Sequence, residues 1–200
     1  MKKLFVSIRR GELETVKELI ARKPALISCV AKQPPKKDDG QSPLQVALKT
    51  GQFDIADFLI EQGADVNFIE QQSVNEWRAP AIHDAIRAAI MSSRYPMSYG
   101  ECNTQARFER AYSTLEKMIE YGAEMRAQDS YGNHCLTRAC LDARQFNWEK
   151  DASELKQMVE DLQKVFELLI RHGADIHEKT ATRDAVVVAY GHEPIARLFN

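Results

Sequence analysis

Residues 39–67 read DGQSPLQVALKTGQFDIADFLIEQGADVN, and this stretch decides the fold. Ser42 can cap a short helix, and Pro43 suits its first position, where a missing N–H costs nothing. Gly51 predicts the end of that helix. A second helix follows with apolar residues on one face, and Gly63 predicts its end. The stretch therefore predicts a pair of helices joined by a tight turn.

The same pattern of residues that begin and end helices recurs along the chain. A closing Gly-Ala followed by an acidic residue recurs at Gly122 and at Gly173, each time after an apolar helix. The opening part returns in residues 80–85 and 129–139. A generic helical bundle does not explain why such endings recur at the same place after each helix. The sequence therefore indicates internal repeats.

These signatures resemble the ankyrin repeat, which opens with Gly-x-Thr-Pro-Leu-His-x-Ala, continues through two antiparallel helices and closes with Gly-Ala-Asp-Val-Asn. The resemblance implies an all-α ankyrin-repeat solenoid of about five helix-turn-helix units joined by short β-hairpin loops. The units stack because none can bury its apolar face alone. We expect a single ankyrin-repeat domain over residues 1–200. Its units run over residues 1–37 (a cap), 38–71, 75–128, 129–177 and 178–200 (a cap).

The third and fourth units depart from the family length. The family repeat is about 33 residues long, but 59 residues separate Gly63 from Gly122 and 51 separate Gly122 from Gly173. Most of the extra sequence falls between the two helices of each unit. Residues 91–102 predict a flexible loop, because they contain a proline and a glycine that break helices.

The remaining inserted residues favour helical extensions. Asp151 and Glu154 have the spacing of a capping box, and apolar residues keep helical spacing behind them. The second helix of the fourth unit is therefore predicted over about residues 152–171. In the third unit, Asn103 or Thr104 can cap a similar extension. The third and fourth units are thus expected to carry inserted or extended helices.

Composition excludes several classes of protein. Apolar residues make up 44% of the chain and charged residues 28%, with a formal net charge of −2. This charge offers no strongly basic field for nucleic acid. No stretch approaches the roughly 18 apolar residues that cross a membrane, and the apolar run before Arg9 is too short for a signal peptide. We expect a cytoplasmic monomer that binds neither nucleic acid nor membrane.

The resemblance implies a role in binding. In ankyrin-repeat proteins the hairpin tips and the first helices line a concave face, where partner proteins usually dock. Tyrosine, tryptophan and arginine often dominate binding energy. Trp77 can face a partner in this way or pack against the long loop of residues 69–75. Residues carried over to the exposed, partner-binding positions are Asp39, Gln41, Lys49, Trp77, Arg87, Tyr131, Asn133 and Asp142.

Metal and catalytic sites are disfavoured. Cys135 and Cys140, with His172 and His177, contain ligand types that zinc prefers, but their spacing is not that of a zinc finger. His83 matches the family histidine, for which the resemblance implies a bridge between neighbouring hairpins. No phosphate-binding loop, nucleophile elbow or metalloprotease string is present. We therefore expect no enzyme activity and no cofactor.

Three alternatives stay open beside binding through the concave face. The chain could be an inhibitor or immunity protein that blocks a partner enzyme. It could be an adaptor that binds through the inserted helices near residues 91–110 and 141–160. A more remote alternative is a metal-binding protein or an enzyme. The sequence does not identify the partner, because one scaffold presents many different surfaces.

Overall fold

The structure is a computed structural model that describes residues 1–96 and 102–199. Within these ranges the chain is built from helices, and its β-structure is limited to one isolated bridge between Ile69 and Pro80. The predicted all-α fold is confirmed.

The helices come in antiparallel pairs, in the order that the repeated punctuation predicts. In the described residues the pairs are α1 (Lys2–Arg10) with α2 (Leu13–Arg22), α3 (Pro43–Lys49) with α4 (Phe53–Glu61), α5 (Ala81–Met91) with α6 (Gln105–Glu120), and α7 (Cys135–Ala143) with α8 (Ala152–Arg171). The short helix α9 (Val186–Tyr190) pairs with a 3-10 helix (Pro194–Leu198). The boundaries between units, as distinct from the helices, stay a prediction.

The pairs stack into two layers. The first helices α1, α3, α5, α7 and α9 contact one another in that order. The second helices α2, α4, α6 and α8 form the other layer, which the 3-10 helix at Pro194–Leu198 continues. One cluster of buried apolar side chains extends from Leu4 to Phe199. Each pair therefore completes the core of its neighbours.

Glycines end the second helices, as predicted. Gly63, Gly122 and Gly173 have φ angles of 88°, 91° and 99°. Residues other than glycine rarely adopt this left-handed backbone conformation. The repeated Gly-Ala signature is therefore a backbone requirement at the end of each helix.

Helix caps agree with the sequence at two sites and differ at a third. Ser42 and Gln45 form the reciprocal capping box at the start of α3. The Thr104 side chain accepts a hydrogen bond from Arg107 N at the start of α6. The capping box predicted at Asp151 is wrong, because its side chain makes no capping hydrogen bond. The backbone carbonyl of Asp151 accepts the bonds from this first turn instead.

The extensions of α6 and α8 are confirmed. The helix α4 begins ten residues before its closing glycine, whereas α6 begins seventeen and α8 twenty-one residues before theirs. The differences correspond to about two and three helical turns. Of the loop predicted over residues 91–102, residues 97–101 lie outside the described residues. Tyr95, just before them, stacks on Phe146 with ring centroids 4.9 Å apart.

Hairpin loops connect the pairs without regular strands. Ala31 exchanges backbone hydrogen bonds with Gly40 and Gln41 at 2.9 and 2.8 Å, and Ala81 N donates to Phe68 O at 2.9 Å. The hairpin before α5 carries Trp77.

Candidate protein-interaction face

Trp77 is fixed between two neighbouring hairpins. Its indole Nε1 donates to Asp129 Oδ2 at 2.8 Å. The ammonium of Lys49 and the guanidinium of Arg138 lie 5.9 and 5.8 Å from the centroid of its ring. Such cation–π contacts hold an aromatic ring in one orientation while part of it stays accessible. Trp77 is half-buried, so it offers a rigid surface rather than a mobile one.

Three open pockets adjoin at Trp77, and we call their combined surface the Trp77 groove. The first, of about 360 Å³, lies between α3 and α5 and includes Lys49 and Asp84. The second lies along the hairpins beside Lys36 and Glu76. The third, also of about 360 Å³, lies towards α7. The third pocket is lined by Trp77, Arg87, Tyr131, Asn133, Arg138, Leu141 and Arg183.

Three of the residues predicted at exposed, partner-binding positions are buried, so the predicted exposure is wrong for them. Gln41, Asn133 and Asp142 expose 4%, 3% and 0% of their surface. The amide nitrogen of Gln41 donates to Glu70 Oε1 at 3.1 Å, and that of Asn133 donates to Asp129 Oδ2 at 2.8 Å. Gln41 thereby joins two neighbouring hairpins, whereas Asn133 braces its own hairpin. All three are buried and support the face, although Gln41 and Asn133 also line its pockets.

Asp142 lies at the centre of an ion-pair network between α5 and α7. Arg138, one helical turn earlier, donates two hydrogen bonds to it at 2.7 and 2.8 Å. Arg87 donates a further one from α5. Burial raises the pKa of Asp142, while Arg138 and Arg87 lower it. A carboxylate so enclosed orients the two arginines, and Arg87 keeps part of its side chain exposed.

The other predicted residues reach the surface to different degrees. Lys49 and Tyr131 are exposed, and Tyr131 shows 48% of its surface. Asp39 is half-buried, and its carboxylate accepts hydrogen bonds from Gln33 N at 3.2 Å and from Val74 N at 3.0 Å. Asp39 therefore ties two hairpin loops together. The structure thus brings Lys49, Trp77, Arg87 and Tyr131 onto one surface.

Asp84 is a feature of the groove that the sequence reasoning missed. It lines the first pocket with 2% of its surface exposed, and neither carboxyl oxygen has a hydrogen-bond partner. Burial raises the pKa of Asp84 to about 7, although Lys49 and Arg87 lower it. The sequence did indicate that the position of Asp84 is buried. The equivalent position in α3, three residues after the helix start, is the apolar Val46.

Comparisons with known proteins agree with this architecture. Residues 2–70 match a family model described as ankyrin repeats in three copies. The chain therefore contains ankyrin repeats. It is also 33% identical, over 76 residues, to the ankyrin repeat and SAM domain-containing protein 6 of Rattus norvegicus. That match covers 38% of this chain and 8% of the length of the rat protein.

The ankyrin histidine His83 has a structural position. Its Nε2 donates to Ala127 O of the next hairpin at 3.2 Å, and its Nδ1 has no partner. Burial lowers the pKa of His83 to about 4. In the preceding ankyrin unit, Gln45 at the equivalent position donates to Ala79 O at 3.0 Å. The two units therefore tie a first helix to the following hairpin by the same kind of bond.

The cysteines and histidines of the zinc hypothesis do not form a ligand set. Cys135 and Cys140 are fully buried, and burial raises the pKa of both thiols, that of Cys135 to about 12. His172 and His177 are exposed. In residues 1–96 and 102–199 no three metal-ligating side chains lie close enough to hold one ion.

None of the helices in the described part of this ankyrin-repeat chain is both long and apolar enough to cross a bilayer.

Proposed function

We propose that this chain binds a partner protein through the Trp77 groove. Ankyrin repeats are generally protein–protein interaction modules. The observation that carries the proposal is the position of Trp77, which is anchored by Asp129 and lines all three adjoining pockets. Tyr131 and Arg87 flank the third pocket. A rigid aromatic ring beside tyrosine and arginine is the composition that most often dominates binding energy.

Site-specific photo-crosslinking tests this proposal. A photoreactive amino acid would replace Tyr131 in the third pocket or, as a matched control, Tyr121 at the end of α6. The two tyrosines expose similar fractions of their surfaces, 48% and 52%. Incubation with a lysate of the source organism should give a crosslinked partner from position 131 and none from position 121. Crosslinking from both positions, or from neither, would count against the groove.

The same experiment distinguishes binding through the groove from the alternative that the chain is an adaptor that binds through its inserted helices. Ser153 is exposed in the first turn of α8, within the helical extension. A crosslink from position 153 without one from position 131 would move the site to the inserted helices. Simple truncation of Phe108 or Trp148 is less informative. Phe108 is 1% exposed, and the indole of Trp148 donates to Ala143 O at 2.9 Å, so both substitutions would disturb the fold.

An inhibitor or immunity role is compatible with the same face. In that case the crosslinked partner would be an enzyme, and the purified chain would inhibit it in a one-to-one complex. We infer that the chain acts as a monomer in the cytoplasm and binds neither nucleic acid nor a cofactor. Light scattering of the purified chain and imaging of a tagged copy test the first two statements. Elemental analysis for zinc tests the metal alternative.

A further inference from the structure

The Trp77 groove carries a charge opposite to that of the whole chain. The three pockets are lined by five exposed cationic side chains, whereas the chain has a net charge of −2. Glu76 is the exposed carboxylate among the described lining residues. The exposed cations are Lys36, Lys37, Lys49, Arg107 and Arg183.

The remaining charged groups of the groove are already engaged or buried. Arg87 and Arg138 donate to the buried Asp142. Glu70 accepts hydrogen bonds from Gln41 Nε2 at 3.1 Å and from Ala79 N at 2.9 Å. Asp84 is buried at the base of the first pocket. The positive charge that is accessible to a ligand is therefore that of the exposed lysines and arginines.

Lys49 and Arg107 concentrate this charge beside the aromatic anchor. Both are exposed and line the first pocket together with Trp77. Lys49 also lines the second pocket, so its ammonium lies where the two pockets adjoin. Positive groups on the walls of a cleft raise the local concentration of anionic ligands and speed their association.

We propose that the Trp77 groove binds an extended acidic segment of a partner protein, with its carboxylates against Lys49 and Arg107 and a neighbouring side chain against Trp77. This inference rests on the proposed function and adds the chemistry of the partner. A nucleic acid fits less well, because its affinity depends on how many phosphates lysines and arginines neutralise. Here Glu76 lies within the row of cations, and the chain as a whole is acidic.

Peptide selection tests the chemistry directly. A phage-displayed library of random linear peptides would be selected against the purified chain. The selected peptides should be enriched in aspartate and glutamate over the starting library. Their affinity would then be measured by fluorescence anisotropy against two variants. These are the groove variant Lys49→Glu/Arg107→Glu and the control Lys156→Glu/Arg171→Glu, whose residues are exposed on α8 away from the pockets.

The two variants change the net charge equally, so only local charge distinguishes them. The groove variant should weaken the acidic peptides about tenfold or more, and the control less than about twofold. Asp84→Asn removes a buried carboxyl group from the first pocket, so it should strengthen binding above pH 7. Weakening by Asp84→Asn, or equal weakening by the groove variant and the control, would overturn the proposal.

The remaining outcomes separate this inference from the proposed function. Selection of neutral or basic peptides whose binding is lost in Tyr131→Ala would overturn the proposal that the partner segment is acidic. It would leave the proposal that the groove binds a protein in place. Failure to select any peptide would overturn the proposal that the groove binds an extended segment. A fluorescent single-stranded DNA that binds more tightly than the peptides, and loses affinity in the groove variant, would replace the protein segment by a nucleic acid.

Discussion

Arg94 and Asp161 form a partly buried ion pair that joins the loop after α5 to the extended part of α8. The guanidinium donates from Nε to Oδ2 at 2.9 Å and from Nη2 to Oδ1 at 2.7 Å. The backbone N–H of Arg94 donates to Oδ2 at 3.0 Å as well. Asp161 exposes none of its surface. The extension of the fourth unit is therefore anchored in the third.

Removing the Arg94 side chain should destabilise the fold more than removing an ordinary surface side chain does. Arg94→Ala leaves Asp161 buried without its cationic partner, which costs about 2–4 kcal/mol in the free energy of unfolding. Urea denaturation followed by circular dichroism measures this loss. The control is Arg126→Ala, whose side chain is 74% exposed and whose contact with Glu178 spans 3.7 Å. That variant should lose less than about 0.5 kcal/mol in the free energy of unfolding. Equal losses in the two variants would contradict the anchoring role of Arg94.

The bond between Trp77 and Asp129 should contribute measurably to stability. Trp77→Phe keeps an aromatic ring but removes the donor to a carboxylate whose residue is 5% exposed. Burial raises the pKa of Asp129, but its bonds from Asn133, Trp77 and Tyr131 outweigh burial and lower it, as expected for a bound anion. Because the acceptor is charged, the loss should be about 2 kcal/mol.

Trp148→Phe is the matched control for this experiment. The indole of Trp148 donates to the neutral backbone oxygen of Ala143 at 2.9 Å, so its loss should cost only about 1 kcal/mol. Unfolding should be followed by circular dichroism, since both substitutions change the tryptophan fluorescence. A larger cost for Trp148→Phe would contradict the anchoring role of Asp129.

The helices were predictable because local residues determine them. The range predicted for the second helix of the fourth unit matches α8, Ala152–Arg171, since apolar spacing and the closing glycine mark its course. Ser42 and Gln45 form their capping box within a few residues of each other. The side-chain bond at Asp151 was not predictable, because the backbone of the first turn satisfies the same donors there.

The surface of the groove was predictable only in part. Trp77 and Tyr131, which the family positions assign to adjacent hairpin tips, line one pocket. The ion-pair network of Asp142 includes Arg87 from the neighbouring helix, and no local pattern reveals a contact between residues 55 positions apart. The apolar Val46 at the equivalent position in α3 marked the position of Asp84 as buried, but the charges around Asp84 come from Lys49 and Glu70 of other segments.

His83 should make the fold less stable as the pH falls. Burial keeps the pKa of His83 near 4, below its ordinary value of 6.5. Between these values the unfolded chain binds a proton that the folded chain does not, so stability is lost as the pH falls from 6.5 to 4. The contribution is about 3 kcal/mol.

His83→Gln isolates this effect. Gln45 makes the equivalent bond one unit earlier, so glutamine can replace the donor to Ala127 O without carrying a titratable group. The variant should fold, and it should lose about 3 kcal/mol less than the wild type between pH 6.5 and pH 4. Urea denaturation at several pH values measures the difference. A difference that does not change with pH would exclude His83 as the titrating group.

Asp84 should act in the opposite direction over an overlapping range of pH, from 3.8 to about 7. Burial raises its pKa from 3.8 to about 7, with Lys49, Gln45 and Arg87 lowering it and Glu70 raising it. Between these values the folded chain holds a proton that the unfolded chain has released. Stability is therefore fully present below pH 3.8 and is lost as the pH rises to about 7.

Asp84→Asn should consequently stabilise the chain above pH 7 and have little effect near pH 4. Asparagine has nearly the same shape as aspartate but no charge to desolvate, so the gain above pH 7 should reach roughly 2–4 kcal/mol. Asp151→Asn is the control, because Asp151 is exposed and its side chain caps nothing. Its effect should stay within about 0.5 kcal/mol at every pH. If Asp84→Asn destabilises the chain above pH 7, Asp84 must have a partner in solution that satisfies its charge.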